Sequence, residues 1–263
     1  MSKSIKIISG WSKPGGSTCH HIWLTNTLNE QGYDCTFYGP HDWHLDKCKS
    51  GKISDGVHID PEDTVVIHYI PIEAVTRVEA RRRIYSCHEA PSLSPVRDMD
   101  LSQVDAVHFV SARQSEAQGV EHEQVIIPPH VERIDWTAPG NNKAAVIGSI
   151  DSNKNPRKAI EDALQDGYER ILLFGKVNDP KYFTNHILPF IVHGVVEIRQ
   201  HVDDRKEMYN EVDAVYHSSA SETFGLVEAE CKLSGIPYKG VEFLPEIVSD
   251  EEIIKKWINV LES

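Results

Sequence analysis

What most constrains this chain is an alternation. Short apolar, β-branched runs at 5–8, 35–38, 64–68, 83–86, 106–110 and 124–127 are interleaved with helix-periodic stretches, notably 17–31 and 72–80. The scheme then repeats, with strand runs at 144–148, 170–174, 195–198, 214–217 and 236–238 and helical stretches at 157–165, 179–188, 205–212 and 226–234. Apolar strands separated by helices are covered on both faces, which predicts βαβ units and parallel sheets. Between the two rounds lies Asp135-Trp-Thr-Ala-Pro-Gly-Asn-Asn142, a segment rich in breakers. The expected fold class is α/β: two doubly wound Rossmann-like domains, 1–135 and 143–248, facing across a cleft. A last helical stretch, 250–261, closes the chain.

Composition removes several function classes. The formal charge of −13 gives no global attraction to nucleic acid or to an anionic bilayer, while leaving a local basic patch open. No run approaches the length of apolar sequence that spans a membrane. The opening MSKSIKIISGW lacks the apolar core of a signal peptide. Cys19, Cys35, Cys48, Cys87 and Cys231 are odd in number and scattered, which argues against a disulfide framework and for a reducing, cytoplasmic setting.

In open parallel sheets, ligands bind beyond the carboxyl ends of the strands, so the residues after each strand carry the functional signal. The first strand is followed by Ser9-Gly-Trp-Ser-Lys-Pro-Gly15-Gly16-Ser17-Thr18. Its glycines permit close approach of a ligand to a helix N-terminus, although an ordinary turn capped by Ser17 reads equally well. The first strand of the second half ends in Gly148-Ser-Ile-Asp-Ser-Asn-Lys154-Asn155-Pro156-Arg157-Lys158. Cations at a helix start oppose the helix dipole, and they make sense around a bound anion such as a pyrophosphate. The third segment is Ser221-Glu222-Thr-Phe224-Gly225-Leu226-Val227-Glu228-Ala-Glu230-Cys-Lys-Leu-Ser-Gly235-Ile-Pro237. Glu222 and Glu230 are spaced to reach one cleft, and a carboxylate suits a ribose diol. Glu228 is displaced from Glu230 around the helix and reads as a solvated face.

That segment resembles the signature of the retaining glycosyltransferases of family four, whose two-domain fold is called GT-B. Gly15-Gly16 and the turn Gly148 to Lys154-Asn155 fall in the matching order, and the similarity covers nearly the whole chain. The resemblance implies transfer of a sugar from a UDP- or GDP-sugar to an acceptor hydroxyl, with retention and without a metal. Lys154 would neutralise the diphosphate, Glu230 would hold the ribose, Glu222 would contact the sugar, and the Leu226 and Val227 amides would face phosphate. His88, in Cys87-His88-Glu89, matches a position that touches the sugar, and Gly16 one that approaches donor and acceptor. The closing segment 249–263 would pack back on the first domain. The acceptor would be a glycan, a lipid or a small molecule. The chain departs from the family at Ser149, where an arginine is usual and for which Arg157 or Lys158 would have to compensate. Pro129-His130 replaces Asn-Gly, and Cys231 replaces alanine.

Rival readings follow from the same residues. A shortened relative that binds nucleotide or sugar without turnover fits Ser149, and a transferase acting on nucleic-acid bases would need a basic stripe that −13 opposes. A glycosidase pair of carboxylates leaves the basic turn unexplained. His41, His44 and Cys48 lie close in sequence, with His20-His21 elsewhere, but no CxxC or HExxH pattern accompanies them, and no metal ligand is assigned. Arg81-Arg82-Arg83 reads as a solvated helix end.

Overall fold

The computed structural model describes residues 4–75, 77, 79–199 and 202–263. They form two compact units: the chain up to His130 together with Val248–Ser263, and Val131–Ile247.

In the first unit β1 (Ser4–Ser9), β2 (Asp34–Gly39), β3 (Ser50–Lys52), β4 (Thr64–His68), β5 (Arg82–Cys87), β6 (Ala106–Phe109) and β7 (Gln124–Ile126) form one parallel sheet. Its order is β3-β2-β1-β4-β5-β6-β7, so the winding reverses between β1 and β4. Every residue of β4 and β6 is buried, the burial expected of strands covered on both faces. Helices α1 (Gly16–Glu30) and α2 (Ala112–Gln118) belong to this unit.

The second unit runs β8 (Lys143–Ile147), α3 (Pro156–Gln165), β9 (Arg170–Phe174), α4 (Pro180–Tyr182), a π-turn Phe183–Ile187, α5 (Leu188–Val192), β10 (Val196–Arg199), α6 (Arg205–Asn210), β11 (Ala214–His217), α7 (Leu226–Ser234) and β12 (Tyr238–Gly240). Its parallel sheet has the order β10-β9-β8-β11-β12, so the winding reverses between β8 and β11. Both units are therefore doubly wound, as the strand–helix alternation predicts.

The closing helix α8 (Asp250–Glu262) joins the first unit. Ser249 caps it by accepting the Glu252 amide at 3.2 Å, and its first turn is acidic, as the dipole favours. Its buried face, Ile253, Ile254, Trp257, Val260 and Leu261, packs in one core with Ile5, Leu24, Leu28 and Phe37. Arg81 donates to the Leu261 carbonyl at 2.8 Å and so satisfies the C-terminal end of that helix.

Four local expectations are corrected. The stretch 72–80 holds only a 3-10 turn, Ile72–Ala74, with Thr76 and Val78 outside the described residues. It is rich in β-branched residues, which resist a helix. The helical stretch 179–188 continues to Val192 across Pro189, which has no N–H to donate, and the π-turn lies immediately before it. The strand expected at 236–238 forms at Tyr238–Gly240, because the Ile236 amide closes the end of α7 on the Cys231 carbonyl and Pro237 offers the ladder no donor. Arg82 and Arg83 are strand residues of β5 rather than a helix end.

Candidate functional site

The carboxyl ends of β8 and β11 meet where the second sheet reverses its winding, the place where doubly wound sheets hold ligands. A concavity there is lined by Val146, Ile147, Gly148, Ser149, Lys154, Pro156, His217 and Ser218. Asp151 shapes the turn beneath it, accepting from the Lys154 amide at 2.9 Å and from Ser149 Oγ at 2.6 Å. The turn is stitched to the loop after β11, since Ala220 N donates to the Asn153 carbonyl at 2.7 Å and Ser221 Oγ to Asn153 Oδ1 at 3.0 Å. This stitching brings Lys154 to Glu222, from opposite sides of the reversal, as an ion pair.

His217 ends β11 and completes the cluster, with Nε2 3.0 Å from Glu222 Oε1. Burial holds its pKa below the ordinary value; Lys154 adds to this and Glu222 opposes it. The neutral ring donates from Nε2 to the carboxylate, which leaves Nδ1 as a lone pair, buried and without a partner among the described residues. Two helices of useful length begin here without a side-chain cap, α3 after left-handed Asn155 and α7 after Gly225. Their positive ends favour an anion, and the amides that open α7 can donate to one; at α3, Pro156 has no N–H, and the Arg157 and Lys158 amides donate to the Tyr182 hydroxyl at 3.4 Å and the Asn155 carbonyl at 3.1 Å. Gly225 takes φ 92°, and a Cβ there would lie 3.1 Å from that of Phe243, so glycine suits both the turn and the close packing above it. Phe224 is buried beneath the loop, and Leu226 and Val227 are the first residues of α7.

The two glutamates that the sequence pairs have different partners. Glu230 is buried at 3% exposure, ion-paired with Arg205 and accepting the Tyr209 hydroxyl at 2.5 Å. Arg205 and Tyr209 were not anticipated. Their signal is a cation and a phenol one turn apart on α6, which share a helix face. Arg157 turns to Glu161 at 2.7 Å and to His186 at 3.4 Å, and Lys158 pairs with Asp162, so of the three cations only Lys154 joins Glu222. Glu228 corrects its reading as a solvated face. It is 1% exposed and accepts the amides of Phe243 at 2.6 Å and Leu244 at 3.3 Å, with Lys232 Nζ at 2.6 Å.

The first sheet's reversal, between β1 and β4, holds different chemistry. Gly15 precedes α1 in extended backbone and Gly16 begins it; a Cβ on Gly15 would meet only ordinary contacts. His88 follows β5, and its amide donates to Glu89 Oε2 at 3.1 Å. It belongs to an unanticipated cluster of histidines. The His20, His21 and His88 rings are mutually 5.0–5.8 Å apart, His68 lies 4.7 Å from His21, and His108 lies 5.6 Å from His88. His68 is engaged by Ser9 Oγ at 2.7 Å and Glu89 Oε1 at 3.0 Å. His108 is engaged by Ser86 Oγ and the Ile127 carbonyl, each at 2.9 Å. His21 has no partner on either nitrogen among the described residues. Among those residues no three His, Cys, Asp or Glu side chains converge to hold a metal ion.

No family model and no curated protein matches the sequence. Solved structures do. TarM superposes with a TM-score of 0.75 at 9% identity, covering 100% of this chain and 99% of that one. The fold is GT-B. An alpha-glucosyltransferase solved with UDP and a 13-mer DNA containing an HMU base gives 0.59 at 12% identity, covering 84% and 74%. The pneumococcal O-GlcNAc transferase GtfA, solved with UDP and GlcNAc, gives 0.55 at 15% identity, covering 77% of this chain and 50% of that one. This chain thus spans about half the length of GtfA. At such identities the likeness carries architecture alone.

Proposed function

We propose that this protein transfers a sugar from a nucleoside-diphosphate sugar to an acceptor hydroxyl, with retention and without a metal. The observation that carries the reading is the Lys154–Glu222–His217 cluster between two uncapped helix N-termini at the reversal of the second sheet. As the bond from the sugar carbon to the diphosphate breaks, its electron pair goes to the departing phosphate oxygen. The Lys154 ammonium, the amides that open α7 and the positive end of the α3 dipole stabilise that charge, which is preorganised electrostatic work. The acceptor oxygen forms the new bond to the sugar carbon on the same face and passes its proton to the departing phosphate oxygen. Glu222, the ion-pair partner of Lys154, is assigned to the sugar. Glu230 is assigned to the ribose, for which it would exchange part of its contact with Arg205. UDP is the favoured nucleotide, because UDP accompanies two of the related structures. A glycan, lipid or small-molecule acceptor suits a chain of charge −13 better than DNA does. Among the described residues no helix is long and apolar enough to cross a membrane.

Lys154→Ala is expected to weaken UDP binding by about 1.5–3 kcal/mol, the scale of a hydrogen bond to a charged group. Calorimetry with UDP checks this, and unchanged affinity would take Lys154 out of the site. Glu222→Gln should spare UDP and lower transfer from UDP-glucose or UDP-N-acetylglucosamine, whereas Glu230→Gln should weaken UDP and sugar nucleotide alike. Equal loss of UDP affinity in both variants would show that the two carboxylates do not divide the donor in this way.

A further inference from the structure

Glu228 performs a task that the donor-site reading leaves unexplained. A carboxylate with 1% exposure is desolvated, and it persists because Lys232 and two backbone amides, Phe243 and Leu244, satisfy it. Those amides belong to the segment after β12. Leu244 is held there at φ 51°, a left-handed conformation adopted without glycine's freedom, and its side chain is 71% exposed. A strained, exposed, apolar residue anchored by a buried carboxylate is not explained by core packing, and strain of this kind collects at ligand sites.

What the anchored shape presents is the Phe243 ring. It lies on Gly225, the residue that opens α7, and it meets His217 edge to face at a centroid distance of 6.3 Å. His217 lines the concavity and touches Glu222, so the ring packs against a member of the cluster. Lys154 and the helix ends account for the diphosphate. The remaining requirement is an apolar surface for the C–H face of a sugar ring, which a half-buried aromatic side chain supplies.

We propose that Phe243 is the wall against which the transferred sugar packs, and that Glu228 is the positioning residue that holds it there. This rests on the donor-site reading above. The test compares UDP with UDP-glucose and UDP-N-acetylglucosamine by calorimetry, or GDP with GDP-mannose if the protein takes the guanosine series. Phe243→Ala and Glu228→Gln should each lower sugar-nucleotide affinity by roughly three- to tenfold relative to the free nucleotide, the range of an aromatic contact. Phe243→Tyr should retain the wild-type ratio. A parallel fall for both ligands, or an unchanged ratio in Phe243→Ala, overturns the proposal while leaving the donor site intact. A wild type that binds neither UDP nor GDP overturns the donor-site reading, and the wall with it. Should Glu228→Gln fail to fold, Phe243→Ala still decides, because its side chain is only half-buried.

Discussion

Between about pH 7.5 and pH 5.5 the first unit is expected to lose on the order of 4 kcal/mol of stability. His20, His21, His88 and His108 are all held below their ordinary pKa, His108 at about 4, with burial the main cause in each. Their mutual repulsion adds to the effect, and for His108 the Ile127 carbonyl opposes it. In the unfolded chain the same rings protonate near 6.5, the ordinary value, so below that pH the unfolded state binds more protons than the folded one. The stability is complete above that value and drains as pH falls toward the depressed native values. Each such histidine contributes up to about 1.4 kcal/mol per pH unit, and coupling within the cluster reduces the sum. Calorimetric melting at the two pH values measures this, and an unchanged midpoint would refute it. His21→Leu should weaken the acid dependence and raise the neutral midpoint, since it removes two buried nitrogens without partners among the described residues.

Trp257→Ala should cost about 3–5 kcal/mol, the range for emptying a large aromatic from a core. Trp257 is fully buried, its ring lies 4.6 Å from that of His108, and it shares a core with β1, α1 and β2. Its indole Nε1 has no partner among the described residues, so Trp257→Phe loses volume yet sheds an orphaned donor and should cost clearly less. Urea unfolding followed in the first unit's transition checks both variants. An alanine variant within about 1 kcal/mol of wild type would mean that α8 contributes little to that core.

The doubly wound architecture was legible because strands such as β4 and β9 are apolar runs with helices between them, a pattern that few folds satisfy. β3, Ser50–Lys52, was not legible, because a short polar edge strand carries no hydrophobic signal. At the candidate site, the turn at Lys154 and the loop at Glu222 were readable from glycines, charge and position after strands. The partners of Glu230 were not, since Arg205 and Tyr209 are brought to it by helix packing across intervening sequence. Glu228 misled for a related reason. Helical spacing gives the direction of a side chain, whereas its burial was decided by a loop that follows a later strand. The histidine cluster draws on α1, β4, the residue after β5, and β6, and no spacing along the chain foretells such a gathering.

That the first unit contains α8 has a consequence for the order of events during synthesis. The residues of the second unit are contiguous, so they can complete their sheet as soon as they leave the ribosome. The unit translated first must instead wait, with the groove that Trp257 fills still open, until the whole of its neighbour and then α8 have emerged. The unit that is translated first is thus the one whose residues are completed last. A nascent polypeptide stalled before Ser249 would carry a finished second unit and an unfinished first one.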